Sequence, residues 1–456
     1  MDVIIGPGNT LAGTSVVPGD KSIAHRWLIL AATADGSSRV AGLPPSLDVR
    51  STAACLASLS GKSRPSLDVF ARNASSPVDG GGSTWNTPGG IVPGSTLEVE
   101  GEGREGLRAP EDPLDCGNSG TSMRLLAGVL AAAPFRTVLT GDPSLSSRPM
   151  ERVAEPLRSM GATIETTDGH APMTVSGGAL RGTRFAPRVP SAQVKSAVLF
   201  AGLAADGETT VVEPAATRDH TERALAALGA PIHLDEEGIQ LSRFHHGGFE
   251  GVVPGDVSSA AFLIAAAALT GSRITIAQVG LNPSRIHFLD VMERMGIRTN
   301  RTVLGSQVGE PIGTIEVEGC DGIRAVRIEP SEIPLIIDEV PVLAVLAAHA
   351  PSDSWFLDAS ELRVKETDRL GAIASGIRAL GGHAADEGSD LVVAGGGLSG
   401  GRADAGGDHR MAMALVVAAL AAGTSCRIGG IEAADVSFPG FVDTLRSLGV
   451  DVQEVE

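Results

Sequence analysis

Two hydrophobic patterns alternate along the chain. In the first, an apolar run of helical length follows a small polar residue, passes through a polar turn and ends in a strand-like segment; "IAHRWLILAATADGSSRVAGL", after "VVPGDKS", is the first example. It returns in "NSGTSMRLLAGVLAAAPFRTVLTG", "SAQVKSAVLFAGLAADGETTVVEPA", "VVPGDVSSAAFLIAAAAL", "DEVPVLAVLAAHAPSDSWFLDAS" and "DHRMAMALVVAALAAGTSCRIGGIE", six copies in all. Each copy has a residue suited to cap its helix: Asp20, Asn118, Ser191, Asp256, Asp338 and Asp408. Their short side chains offer an acceptor oxygen to the unpaired N–H groups of a first turn. The second pattern is an amphipathic helix with charges, leading through glycine to another strand. "RPMERVAEPLRSMGATIETT", "RDHTERALAALGAPIHL", "NPSRIHFLDVMERMGIRTN", "KETDRLGAIASGIRALGGHAA" and "FPGFVDTLRSLGVDVQEV" show it, and "DVRSTAACLASLSG" is a less complete first version. The repeating unit is therefore strand, helix, strand, helix, strands.

"VVPGDKS" at 16–22 and "VVPGDVS" at 252–258 differ only at Lys21 and Val257, which splits six units into two halves of three. The expected domains are 20–245, and 1–19 with 246–456, with "SRFHHGGFEG" at 242–251 as the crossing. The interval from Asp20 to Asn118 is the longest between caps. Residues 73–95, with Gly80, Gly81, Gly82, Gly89, Gly90, Gly94 and three prolines, account for it as a surface loop. "GKS" at 61–63 is not a phosphate loop, because position 56 is leucine where that motif needs glycine.

Parallel apolar helices inside each domain would gather their N-termini on one face, where partial positive charge and free N–H groups attract anions. Charge reinforces this picture. The chain is acidic overall, −18 over 456 residues, which argues against nucleic-acid or anionic-membrane partners. Yet Lys21, Arg26, Arg124, Arg148, Lys195, Arg218, Lys365, Arg369 and Arg410 collect at the caps or at the starts of second helices, while the copy "VSSAAFLIAAAAL" has no cation. Lys21 against Val257 thus reads as site against support. No secretory leader pattern or long apolar span is seen, so a cytoplasmic protein is expected. Cys55, Cys116, Cys320 and Cys426 have no metal or redox spacing and are expected as reduced thiols.

"PGDKSIAHR", "GNSGTSMRLLAG", "GDPSLSSRPMERV", "SAQVKSA", "DEVPVLAV", "ELRVKETDRL" and "DHRMAMA", in this order over nearly the whole chain, resemble the 5-enolpyruvylshikimate-3-phosphate synthase family of enolpyruvyl transferases. The resemblance implies an α/β fold of two similar domains, each of three βαβαββ units with buried parallel helices, the inside-out α/β barrel. The N-terminal strand would pack with the second domain, and the two would close over substrates. It implies transfer of the enolpyruvyl group of phosphoenolpyruvate to the 5-hydroxyl of shikimate 3-phosphate with release of phosphate, without metal or organic cofactor, by a protein expected to be a monomer.

The same resemblance places Lys21, Ser22, Arg26, Ser191, Ala192, Gln193, Arg218, Asp338 and Lys365 around shikimate 3-phosphate. It places Lys21, Gly120, Arg148, Gln193, Arg369 and Arg410 around phosphoenolpyruvate. Asp338 is expected to take the hydroxyl proton and Glu366 to protonate the methylene carbon, with Lys21 assisting. Family variants with alanine at the position of Gly120 resist glyphosate, which occupies the phosphoenolpyruvate site, so glycine here implies sensitivity. His25 and His409 are expected as neighbours of Arg26 and Arg410 rather than catalysts. Val436 stands where some members have lysine, Glu361 where others have asparagine, and Lys195 belongs to one branch. The related transferase acting on UDP-N-acetylglucosamine has Lys-Asn in place of Lys21-Ser22 and a cysteine in its loop; "GDPSLSSRP" has none. A non-catalytic anion binder would lack Lys21, Asp338 or Glu366, and the RNA 3′-phosphate cyclases, of related fold, fit poorly with an acidic chain.

Overall fold

The six apolar runs fold as helices Lys21–Ala32, Gly120–Leu130, Ala192–Gly202, Val257–Leu269, Val340–Ala348 and His409–Leu420 in a computed structural model that describes residues 1–60 and 94–455. Most of the 73–95 stretch and the 61–63 segment lie outside the described residues. Helices with no polar stripe must be enclosed on all sides, and every residue of the last two is buried. The charged companions, Leu47–Ser60, Glu151–Ser159, His220–Ala227, His287–Arg294, Arg369–Ala379 and Phe441–Ser447, bury one face each.

Four caps form where expected: the side chains of Asp20, Ser191, Asp256 and Asp408 accept from first-turn amides. Two do not. Ser119, one residue after Asn118, caps the helix Gly120–Leu130, which leaves the Asn118 amide free for other partners. Asp338 caps nothing, because its helix begins at Val340 after Glu339. Pro341 in that first turn has no N–H to satisfy. The Asp338 carboxylate is thereby released to face the cations described below.

Each unit carries one small sheet. The strand before the inward helix lies parallel to the strand after it, and the remaining pairings are antiparallel, as in Leu114–Asp115, Arg136–Thr140, His170–Ser176 and Thr163–Thr167. The two halves exchange their leading strands. Ala12–Val16, which enters the first inward helix, pairs with Arg273–Ala277 of the fourth unit, and Glu250–Val252, which enters the fourth, pairs with Arg39–Ala41 of the first. Asp2–Ile5 also joins the last sheet, between Cys426–Gly429 and Val452–Val455. The crossing is therefore not at 242–251, since Phe249 and the strand after it still bond to the first unit. It lies at 253–256, beside the return crossing at 17–20. There the Asp20 amide donates to the Pro254 carbonyl and the Asp256 amide to that of Pro18, both at 2.7 Å. This explains the repeated "VVPGD": the two copies meet around a local two-fold, Gly19 against Gly255. A Cβ on Gly19 would collide with the Gly42 carbonyl oxygen.

Two separate hydrophobic cores result. One contains Trp27, Leu126, Leu199 and Leu241; the other contains Val3, Phe262, Leu343 and Leu415. In the first core the helices Gly120–Leu130 and Ala192–Gly202 approach so closely that a Cβ on Gly128 would overlap the backbone of Ala197. Alanine favours a helix over glycine by about 1 kcal/mol, whereas overpacking costs about 1–3 kcal/mol. Gly128→Ala is expected to lower the melting temperature by several degrees; a higher melting temperature would show that this contact yields easily.

Candidate active site

The starts of three inward helices, at Lys21, Asn118 and His409, line one cleft and come from both halves. A cavity of about 760 Å³ is lined by Lys21, Asp48 and Asn118 from one side and by Glu366, Thr367 and His409 from the other. Lys21 opens its helix, and its ammonium lies 2.8 Å from Asp48 at the start of the helix Leu47–Ser60. Burial would lower the Lys21 pKa, but the Asp48 carboxylate outweighs it and raises it, so Lys21 enters the cleft as a cation.

Asp338 sits among three guanidinium groups. Arg218, from the first half, bonds its carboxylate; Arg410 lies 3.4 Å away and Arg369 3.8 Å away. Arg410 also donates to the Asp338 carbonyl at 3.0 Å. Burial pushes the Asp338 carboxyl up, but Arg410, Arg218, Lys365 and Arg369 together hold it well below the usual range. Glu366 accepts from Arg369 at 2.5 Å. Its carboxyl is likewise raised by burial and driven far lower by Arg369, His409 and Lys21. Arg369, 1% exposed, is fixed by Asp408, the cap of the helix His409–Leu420, with its Nε 2.9 Å from the carboxylate. Lys365 has no ion-pair partner among the described residues, and burial lowers its pKa.

Around the start of the helix Gly120–Leu130, Arg124 donates to Gln193 at 2.5 Å, and Gln193 donates to Thr121 at 2.9 Å. Arg148 donates to Asn118 at 2.5 Å, and Asn118 in turn to Asp142. Burial, with Arg152 and Arg148 nearby, lowers the Arg124 pKa to about 10, still charged at neutral pH. A Cβ on Gly120 would lie 3.1 Å from the Arg124 guanidinium and 3.6 Å from that of Arg148. Ser22, Ser191 and Ala192 stand half-buried at their helix starts. Arg26 is buried, with one bond each from Nε, Nη1 and Nη2 to Thr221, the Ser22 carbonyl and Ser196. Three of its five N–H groups are used in this way.

Guanidinium groups from both halves meet at Asp338, Arg369 joins it to Glu366, and Glu366 shares one cavity with the Lys21 ammonium; such planar forks suit carboxylate and phosphate. Among the described residues no three His, Cys, Asp or Glu side chains form a metal-binding cluster, and no helix is long and apolar enough to cross a membrane. A family model for EPSP synthase (3-phosphoshikimate 1-carboxyvinyltransferase) matches residues 5–71 and 92–445. The chain belongs to the EPSP synthase family. The interruption of the match at 72–91 falls in the glycine-rich stretch. A 3-phosphoshikimate 1-carboxyvinyltransferase of Acidithiobacillus ferrooxidans is 43% identical over 451 residues, 98% of each chain. One from Desulforamulus reducens is 41% identical over 456 residues, 99% of this chain and 100% of that one. A solved EPSP synthase structure from Acinetobacter baumannii superimposes with a TM-score of 0.83 at 36% identity, covering all of both chains.

For an EPSP synthase family member, three features escaped the sequence reading. Asp48 was not singled out, although an acidic residue opening the least complete amphipathic helix was a signal. Asn118 was read only as a cap, and its bridge between Arg148 and Asp142 needs the fold to be seen. Arg152 reaches toward Glu361 of the other half, 3.8 Å away, so this divergent glutamate sits at the junction. Val436 lines the cavity and offers an apolar wall where some relatives have a lysine. Lys195 does not reach the cleft. It is 1% exposed, between Glu213 at 2.9 Å and Glu222 at 2.7 Å, and it supports the loop leading to Arg218 through the Thr217 carbonyl.

His25 and His409 are buried and neutral. Burial, joined for His409 by Arg410 and Lys21, lowers each from an ordinary 6.5 to about 3. Between these values the unfolded chain binds more protons than the folded one, so their contribution is full above about 6.5 and shrinks as pH falls. The loss reaches about 2 kcal/mol for each histidine at pH 5. Melting temperature is expected to fall steadily from pH 7.5 to pH 5; a flat profile would contradict the buried, neutral assignment.

Proposed function

We propose that the chain transfers the enolpyruvyl group of phosphoenolpyruvate to the 5-hydroxyl of shikimate 3-phosphate and releases phosphate. The observation that carries this reading is the meeting of Arg218 from one half with Lys365, Arg369 and Arg410 from the other around Asp338, while Lys21 and Glu366, the latter bonded to Arg369, line one cavity. Two phosphorylated carboxylates need such a set of cations, and a metal-free acid and base need two carboxyl groups. In this reading Lys21, Gly120, Arg148, Gln193, Arg369 and Arg410 hold phosphoenolpyruvate, joined by Arg124. Lys21, Ser22, Arg26, Ser191, Ala192, Gln193, Arg218, Asp338 and Lys365 hold shikimate 3-phosphate.

Asp338 accepts the 5-hydroxyl proton as that oxygen attacks C2 of phosphoenolpyruvate, and Glu366 delivers a proton to C3, which becomes a methyl group. The C2–O bond to phosphate then breaks as the methyl group loses a proton, restoring the double bond. Both carboxyls are held ionised while arginines and lysines surround them. Substrate phosphates and carboxylates take over those cations, so the affinity of both carboxyls for a proton rises on binding. Asp338 becomes a stronger base, and Glu366 can carry the proton it donates. Two domains, residues 20–252 and 1–19 with 253–456, close over the substrates and exclude water. The protein acts on small anions in the cytoplasm, as a monomer, with no cofactor added.

Phosphate release from purified protein, phosphoenolpyruvate and shikimate 3-phosphate tests the reading, with UDP-N-acetylglucosamine as the control acceptor. Asp338→Asn and Glu366→Gln are each expected to lower kcat by about 10²–10⁴ while both substrates still bind; near wild-type turnover in either removes that residue's role. Glyphosate is expected to inhibit the wild type, and Gly120→Ala to weaken inhibition and raise the KM for phosphoenolpyruvate by crowding Arg124 and Arg148. Equal inhibition of both proteins would show that the inhibitor does not sense this position.

A further inference from the structure

Beneath the crossing segments, away from the proposed reacting groups, lies a buried charge cluster centred on Arg285. This residue is 4% exposed and sits in the loop between the strand Arg273–Gly280 and the helix His287–Arg294. One arm of its guanidinium, Nη1, lies 2.7 Å from Asp20 Oδ2. The other, Nη2, lies 3.2 Å from Asp256 Oδ1 and 2.6 Å from Ser258 Oγ. The same Asp256 oxygen, and the other Asp20 oxygen, cap the two inward helices that start at Val257 and Lys21. A single planar fork therefore spans the caps of equivalent helices in the two halves.

Both arms lead to the cleft. Asp20 immediately precedes Lys21. The Ser258 hydroxyl, which accepts from Arg285, donates to Glu339, the residue after Asp338. The repeat shows that this arrangement is special to one half. "GLPPSL" at 42–47 corresponds to "GLNPSR" at 280–285, so Leu47 stands where Arg285 does, and Asp48, the partner of Lys21, stands where Ile286 does. The first half keeps the lysine and its aspartate at the cleft; the second half replaces them with Val257 and Ile286 and supplies the buried arginine.

We propose that Arg285 is a positioning residue that sets the placement of Lys21 relative to Asp338 by clamping Asp20 to Asp256 and Ser258 across the crossing. The inference rests on the roles proposed above for Lys21 and Asp338. A displacement of about 1 Å between reacting groups is enough to cost a factor near 10² in rate, so the clamp acts on turnover more than on substrate affinity.

Two variants of the full chain test it. Arg285→Lys keeps the charge but loses the fork, and Asp256→Asn keeps a capping oxygen, so the helix start survives while one arm of the clamp loses its ion pair. With wild-type phosphate release as the reference, Arg285→Lys is expected to lower kcat at least tenfold and Asp256→Asn severalfold, each with KM values changed less than threefold. Lowered melting temperature with kcat within twofold of wild type, in either folded variant, would overturn the proposal and leave Arg285 a purely structural clamp. Should Arg285→Lys fail to fold, Asp256→Asn decides by the same criterion. A crystal structure of either variant in which Lys21 and Asp338 keep their wild-type separation would also overturn it, whatever reaction the protein performs.

Discussion

Like charges gathered in a partly desolvated cleft repel each other, and the rest of the structure answers that constraint. Arg124, Arg148 and Arg152 cluster in one half, and Lys365, Arg369 and Arg410 of the other gather near Asp338, while Lys21 lies at Asp48. Four of these cations are each held by a specific carboxylate or amide oxygen: Asp48 for Lys21, Asp408 for Arg369, Gln193 for Arg124, Asn118 for Arg148. Asp338 has no such fixed allegiance. It is shared by Arg218, Arg369 and Arg410, which makes it the carboxylate whose surroundings change most when other anions arrive. In the proposed reaction the counter-charge of the resting cleft is thus also the base.

The exchange of leading strands gives this arrangement its mechanical frame. Because Ala12–Val16 completes a sheet of one half and Glu250–Val252 a sheet of the other, neither half can move far without pulling on both crossings. The crossings are short, hydrogen-bonded to each other, and run directly into helices, of which the one opening at Lys21 faces the cleft. In the proposed reaction, rotation about this seam would let cations from both sides meet the same ligands.

Much of this was legible in the chain because it is local. The six apolar runs and their amphipathic companions follow from hydrophobic period alone, and four of six caps follow from side-chain chemistry. The two misassigned caps show the limit. Whether Asn118 or Ser119 satisfies a first turn depends on one residue of backbone geometry. Whether Asp338 caps or is free depends on a short turn at Ile333–Ile336 that delays the helix start. The crossing was displaced for a related reason: "SRFHHGGFEG" has loop composition, yet Phe249 and Glu250–Val252 pair with residues some 210 positions earlier, which no local window contains. Asp48 and Arg285 were missed because their partners, Lys21 and Asp20, are brought to them only by the tertiary fold.

The duplicated string carries the last step. A symmetric repeat would place a lysine and an aspartate at both crossings and so two equal half-sites facing each other. The chain instead keeps Lys21 with Asp48 on one side and has Val257 with Ile286 on the other. Val257 is buried in the second core, where an unpaired ammonium would carry a heavy desolvation cost. Leaving only apolar residues there would strand the two cap carboxylates, Asp20 and Asp256, next to each other without a cation. Arg285 resolves that conflict from the neighbouring loop, one residue before the position that Asp48 occupies in the other half. Divergence between the copies thus moved a positive charge from the cleft to the seam. At this pair of crossings, one copy keeps its cation at the cleft and the other holds the seam.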